Sequence, residues 1–229
     1  MSSESSAAGT GGRAGAANAA ATVAPAMIPR ARRTPGAAGS PASPASAGAA
    51  GTASGAAGAP TVIGVSVAVP EPWGQQIQDL RASYGDPLAR SIATHVTLLP
   101  PTELPAAELP RIGEHLRAVA ARFRPFRVTL RGSGSFRPVS PVTFIRLEEG
   151  VAECRALESG VRSGPLAREL AFPYYPHITV AHGLPDPVLD RALAELRSYR
   201  AEFEVRAVSL SCFGVDEVWR PWREFALMG

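Results

Sequence analysis

The tetrapeptide His-Val-Thr-Leu at 95–98 returns 82 residues later as His-Ile-Thr-Val at 177–180, in a chain with only four histidines. A His-apolar-Thr-apolar string has a period of two, the period of a half-buried strand. Val96 and Leu98 then face a core while His95 and Thr97 share the other face. Ile178 and Val180 stand in the same relation to His177 and Thr179. With 45% apolar residues and about 5% threonine, one histidine meets this pattern by chance roughly once in a hundred. Two of four histidines meeting it points to a fold that uses one kind of strand twice.

The remaining elements fit around these two strands. "TVIGVSVAV" (61–69) alternates and predicts a strand, and Trp73, Ile77, Leu80 and Tyr84 recur at helical spacing before Gly85. The first motif strand is expected to close at Pro100-Pro101. A helix with Pro110 in its first turn follows, striped by Ile112, Leu116, Val119 and Phe123. "FRVTLRGSGSF" and "VTFIRLE" read as two strands across a Gly/Ser/Pro-rich turn. Val151, Cys154, Leu157 and Val161 mark a third helix, and Val188, Ala192, Leu196 and Tyr199 a fourth. "AEFEVRAVSLSCF" and "VWRPWREFAL" then read as one closing hairpin, with Trp219 and Trp222 packing its last strand.

Paired strands in the middle and at the end favour antiparallel sheets over a parallel α/β arrangement. A split after "VTFIRLE" leaves two comparable halves, each with one motif. The expectation is an α+β fold of two pseudo-symmetric lobes. Antiparallel sheets flanked by helices would face one another across a central cleft.

Residues 1–60 are almost wholly Ala, Gly, Ser, Pro and Thr. Such a segment cannot bury enough surface to offset its ordering entropy, so it is expected to be a disordered tail ahead of a folded domain at 61–229. The tail holds Arg13, Arg30, Arg32 and Arg33 against Glu4, and 61–229 therefore carries 19 residues of each sign. A neutral domain argues against broad electrostatic gripping of long nucleic acid. The arginines at 111, 117, 122, 124, 127, 131, 137 and 146 nevertheless form a locally basic span that has only Glu114 within it. It reads as a solvated surface or as a local anion-facing one. No run is long and apolar enough for a membrane span, and nothing requires Cys154 and Cys212 to pair. A cytoplasmic monomer with two reduced thiols is expected.

Two imidazoles across a cleft suit a reaction that needs a base and an acid together. Histidine's ordinary pKa of roughly 6.5 lets one ring be neutral while the other is charged. Phosphodiester transfer has this need, since an attacking oxygen loses a proton and a departing one gains it. Threonine hydroxyls can donate to the non-bridging oxygens, where negative charge gathers. That scheme uses no metal, and no carboxylate or cysteine stands at ligand spacing around either motif.

"HVTL", "PHITVAHG" and the closing "WRPWREFAL" together resemble the two-histidine (2H) phosphoesterase superfamily, above all its 2′-5′ RNA ligase-like branch of RNA cyclic phosphodiesterases. The resemblance spans 61–229. It implies a bilobal fold with the histidines in a central cleft. It implies metal-independent, cofactor-free action on 2′,3′-cyclic phosphates or 2′-5′ linkages, in RNA 3′ ends or small cyclic nucleotides. By motif position His95 and His177 would be the acid–base pair and Thr97 and Thr179 the phosphate donors. Many relatives carry a basic residue such as Arg just after the second motif, where this chain has His182.

Other positions are weaker candidates. Tyr174 and Tyr175 precede the second motif, where a ring could stack on a base or pack inward. Phe136 and Arg137 are placed to line the cleft mouth. His182 falls by alternation on the face opposite His177, and His115 is expected to be solvated on a charged helix. The site expected from the sequence is therefore His95, His177, Thr97 and Thr179, with Tyr175, His182 and Arg137 as possible substrate contacts. A binding module for terminal or cyclic phosphates, and a 2′-5′ RNA ligase, are the competing functions.

Overall fold

Strand β1, Pro60–Ala68, buries Ile63, Val65 and Val67 to 1% exposure or less, as its alternation predicts. The computed structural model describes residues 59–229, and the tail expected over 1–60 lies outside them except for its last two residues. The chain continues as α1 (Trp73–Ser83), β2 (His95–Pro105), α2 (Leu109–Ala120), β3 (Phe126–Ser135) and β4 (Val142–Glu149). After these come α3 (Val151–Val161), β5 (His177–His182), α4 (Asp186–Glu195), β6 (Arg200–Val205), β7 (Ala207–Phe213) and β8 (Trp219–Ala226).

The strands form two four-stranded antiparallel sheets, in the orders β2-β1-β7-β8 and β5-β4-β3-β6. This is the expected two-lobed α+β architecture, with one motif strand at an edge of each sheet. The lobes are not sequential halves, however. β3 through β6 make one lobe from the middle of the chain, while β1, β2, β7 and β8 make the other from its two ends.

The pseudo-symmetry relates β1-α1-β2 to β4-α3-β5. Each connecting helix packs across to the other lobe's motif strand, α1 on β5 and α3 on β2. Apolar residues lock this exchange: Ile77 on α1, Leu157 on α3 and Ile178 on β5 are all fully buried.

Two boundaries differ from expectation. β2 runs on through Pro100 and Pro101 to Pro105. It can do so because it is an edge strand, where a missing amide hydrogen costs no ladder bond, and its register against β1 shifts nearby. The segment 201–213 is two strands in different sheets rather than one. Ala201, Phe203 and Val205 are buried before Arg206, but Val208 and Leu210 after it. That change of phase turns the chain from one lobe to the other.

Gly150 joins β4 to α3 with φ at +82°, and a β-carbon there would lie 2.7 Å from Val128 Cγ2 and 2.8 Å from the Arg127 carbonyl oxygen. Gly150→Ala is expected to destabilise the fold by about 1–3 kcal/mol. Urea unfolding of the variant beside wild type measures it, and an unchanged midpoint would contradict the steric account.

Candidate active site

Each motif strand carries a β-bulge one residue past its threonine. Ser66 pairs with Thr97 and Val65 with Leu99, which leaves Leu98 as the extra residue. Phe144 pairs with Thr179 and Thr143 with Ala181, which leaves Val180 extra. Two apolar neighbours are therefore buried in succession, Leu98 with Leu99 and Val180 with Ala181. The next residue swings back to the cleft. In β2 this is Pro100, and in β5 it is His182, which lines the cavity with His177 rather than facing away as strict alternation predicts.

β2 and β5 lie against one another, and the cavity between the lobes is lined by His95, Thr97, His177 and Thr179 together. The histidines are held alike. His95 Nδ1 is 2.7 Å from the Ala93 carbonyl oxygen, and His177 Nδ1 is 2.8 Å from that of Tyr175. A carbonyl only accepts, so each Nδ1 carries the proton and each neutral ring has its lone pair on Nε2. His95 Nε2 lies 3.1 Å from Thr97 Oγ1, where the hydroxyl donates to it. The Thr179 hydroxyl has no protein partner among the described residues.

Burial in the cleft pushes His95 down to about 4, opposed by the Ala93 carbonyl and aided by the Arg81 guanidinium. Burial likewise pushes His177 down to about 4, opposed by the Tyr175 carbonyl and aided by repulsion from His95. Burial lowers His182 as well, with Asp86 opposing the change. Both rings are thus neutral near pH 7 and are weaker bases than a free imidazole, with the lone pair of Nε2 as the place a proton would enter.

Tyr174 links the two motifs directly, since its hydroxyl donates to the Thr97 carbonyl across the lobes at 2.9 Å. Tyr175 lines the cavity, and its ring meets Phe144 edge-on at 5.7 Å between centroids. Phe136 and Phe144 stand 4.8 and 5.3 Å from the His177 ring and fix its plane. Arg137, expected at the cleft mouth, is not among the residues that line the cavity and pairs with Asp186 at 3.0 Å and with Asp190. His115 is not simply solvated, because its Nε2 donates to the Val161 carbonyl at 3.1 Å and ties α2 to α3.

The sequence reading missed Arg81 and Asp86. They form a buried ion pair at 3.0 Å beside the cavity, with side chains 4% and 1% exposed. Arg81 also donates to the Ile92 carbonyl at 2.9 Å, and so steadies the loop that offers Ala93 to His95. A signal was present, since Arg81 falls at i+4 from Ile77 on the buried stripe of α1. The basic span of arginines is largely neutralised by acids from elsewhere: Arg111 by Glu108, Arg127 by Glu202 and Arg131 by Glu148. Arg146, which pairs across strands with His177, has no acidic partner among the described residues. Among those residues no group of three or more His, Cys, Asp or Glu could hold a metal ion, and no helix is long and apolar enough to cross a membrane.

This fold is that of E. coli LigT. The crystal structure of LigT complexed with 3′-AMP matches at a TM-score of 0.54 and 21% identity, covering 75% of this chain and all of LigT. Its ATP complex matches at 0.51 and 19%, with the same coverage. A protein of Bacillus cytotoxicus named "Putative phosphoesterase" is 33% identical over 127 residues, 54% of this chain and 73% of that protein. At the family level, residues 69–216 match the 2′-5′ RNA ligase superfamily. The chain belongs to that superfamily of two-histidine phosphoesterases.

A histidine lowered by folding stabilises the native state fully above its unfolded pKa of roughly 6.5, and that stability is lost as pH falls toward the folded value. Wild type is therefore expected to lose stability between about pH 6.5 and 4, and His95→Gln, His177→Gln to lose less. Urea midpoints of both proteins at pH 7 and pH 5 measure the difference, and parallel declines would contradict the lowered values.

Proposed function

We propose that this chain is a metal-independent phosphoesterase that hydrolyses cyclic phosphates at RNA 3′ ends or on small cyclic nucleotides, acting as a monomer. The observation that carries this reading is the matched pair of imidazoles. Each is fixed at Nδ1 by the carbonyl two residues before it, has a threonine two residues after it, and opens Nε2 to one cavity. Membership of a phosphoesterase superfamily supports the reaction class, and the nucleotide complexes of LigT support a nucleotide ligand.

In this reading the two rings divide the labour. His177 Nε2 takes a proton from water as its oxygen attacks phosphorus. The bond from phosphorus to one ribose oxygen breaks, and His95, charged at Nε2, gives that oxygen a proton. One phosphomonoester remains, and proton exchange with solvent resets both rings. Thr97 and Thr179 donate to the non-bridging oxygens as negative charge accumulates there. An arriving phosphate anion favours the imidazolium form that the empty, buried cleft disfavours.

His95→Ala and His177→Ala are each expected to lower kcat on a 2′,3′-cyclic nucleotide by about 10²–10⁴-fold in excess chelator. Chromatography of the products measures this, and near-full activity in both variants would overturn the mechanism. Because kcat/KM reports the free enzyme, the acid form becomes scarcer as pH rises above about 4. kcat/KM is expected to fall by nearly tenfold per unit above about pH 5, and a plateau running to pH 7 would contradict it.

A further inference from the structure

The two sides of the cleft floor are not alike. At pseudo-equivalent places, Ser66 lies opposite Thr97 where Phe144 lies opposite Thr179, and Ala68 opposite His95 where Arg146 lies opposite His177. On the β3–β6 lobe Phe144 packs on Phe136 at 4.2 Å and fills the floor. On the other lobe Gly64, Ser66 and Ala68 leave it empty. The result is a second cavity on the open face of that sheet, and His95 and Thr97 line it as well as the first.

This second cavity has the furnishings of a binding site. Trp219 forms one wall. A β-carbon on Gly64 would lie 3.2 Å from its Cζ3, so the glycine lets the indole rest close on the strand. The Phe213 ring at 5.2 Å and the Trp219 amide, which donates to the Ser91 carbonyl at 2.8 Å, hold the indole there. Thr97, Ser66 and Ser209 form a row across β2, β1 and β7, and Ser211 lies beyond it. None of the three serine hydroxyls has a protein partner among the described residues. Two strand spacings separate Thr97 from Ser209, on the order of 10 Å.

We propose that this cavity seats the nucleoside that carries the reacting phosphate, with its base against Trp219 and its ribose and base edge on the Ser66, Ser209 and Ser211 hydroxyls. The inference rests on the phosphoesterase reading for the identity of the phosphate, and the occupant follows from the cavity itself. It begins at the histidine and threonine that would hold the phosphate. It then offers a flat aromatic wall and uncommitted hydroxyls that act as donor or acceptor, the combination that stacks and reads a base. The filled floor of the other lobe leaves no matching place there, so the near-symmetric cleft binds its substrate in one direction.

The test compares 2′,3′-cyclic AMP with glycerol 1,2-cyclic phosphate, which has no base, on the full chain, and also measures calorimetric binding of 3′-AMP and inorganic phosphate. Ser209→Phe fills the cavity and Trp219→Ala removes its wall, so misfolding of one leaves the other informative. Wild type is expected to prefer the nucleoside substrate by at least about tenfold in kcat/KM, and both variants to bring that preference toward unity. Wild-type turnover with no preference, or a preference both variants retain, overturns the inference and leaves hydrolysis standing. If wild type turns over neither substrate yet both variants weaken 3′-AMP binding, the cavity assignment stands and hydrolysis falls. Neither turnover nor binding of 3′-AMP overturns both.

Discussion

The cleft exists because two edge strands from different sheets lie against one another without pairing. β2 and β5 each end their own sheet, so each leaves one side free, and the two free sides face each other. What keeps them at working distance is a small set of polar ties set in an apolar frame. The Tyr174 hydroxyl reaches the Thr97 carbonyl, and α1 and α3 exchange lobes so that each motif strand is backed by the other lobe's helix. The histidine orientations depend on this frame, because the carbonyls that fix them belong to the chain just before each strand.

A buried pair of neutral imidazoles is a costly arrangement to charge, and that cost is useful. With both rings lowered to about 4, the cleft holds no positive charge on these two histidines near pH 7. An anion in the cleft would bring the field that makes protonation favourable. The surrounding surface does little of this work, since Arg127, Arg131 and Arg137 are each tied to a carboxylate. Arg146 beside His177 has no such carboxylate among the described residues. Any attraction for an anion is therefore local to the cleft, in keeping with a domain that carries equal numbers of both charges.

Most of the architecture was legible because its signals are local. Alternation located β1, β2 and β5, helical spacing located all four helices, and the repeated tetrapeptide predicted two lobes. The failures share one physical origin, since they concern which residues meet across long separations or where a strand changes phase. Arg137 finds Asp186 and Asp190 some 50 residues on, and no spacing rule reports that. His182 returns to the cleft through a bulge, although two buried residues in a row after each threonine are the trace that a bulge leaves. The slip of apolar phase at Arg206 was likewise visible, and reading 201–213 as one strand overlooked it. The lobes themselves could not be divided by cutting the chain once, because one of them is built from both its ends.

That last feature has a bearing on how the molecule is made. The lobe carrying His177 occupies a continuous stretch and has all its strands once residue 205 has been synthesised. The lobe carrying His95 has its first two strands early, yet its sheet stays half-built until β7 and β8 emerge at the very end. Its closure therefore spans nearly the whole folded unit, the kind of long-range contact that forms slowly and late. In chain order, the sheet that carries the first histidine of the sequence is the later of the two to have all its strands.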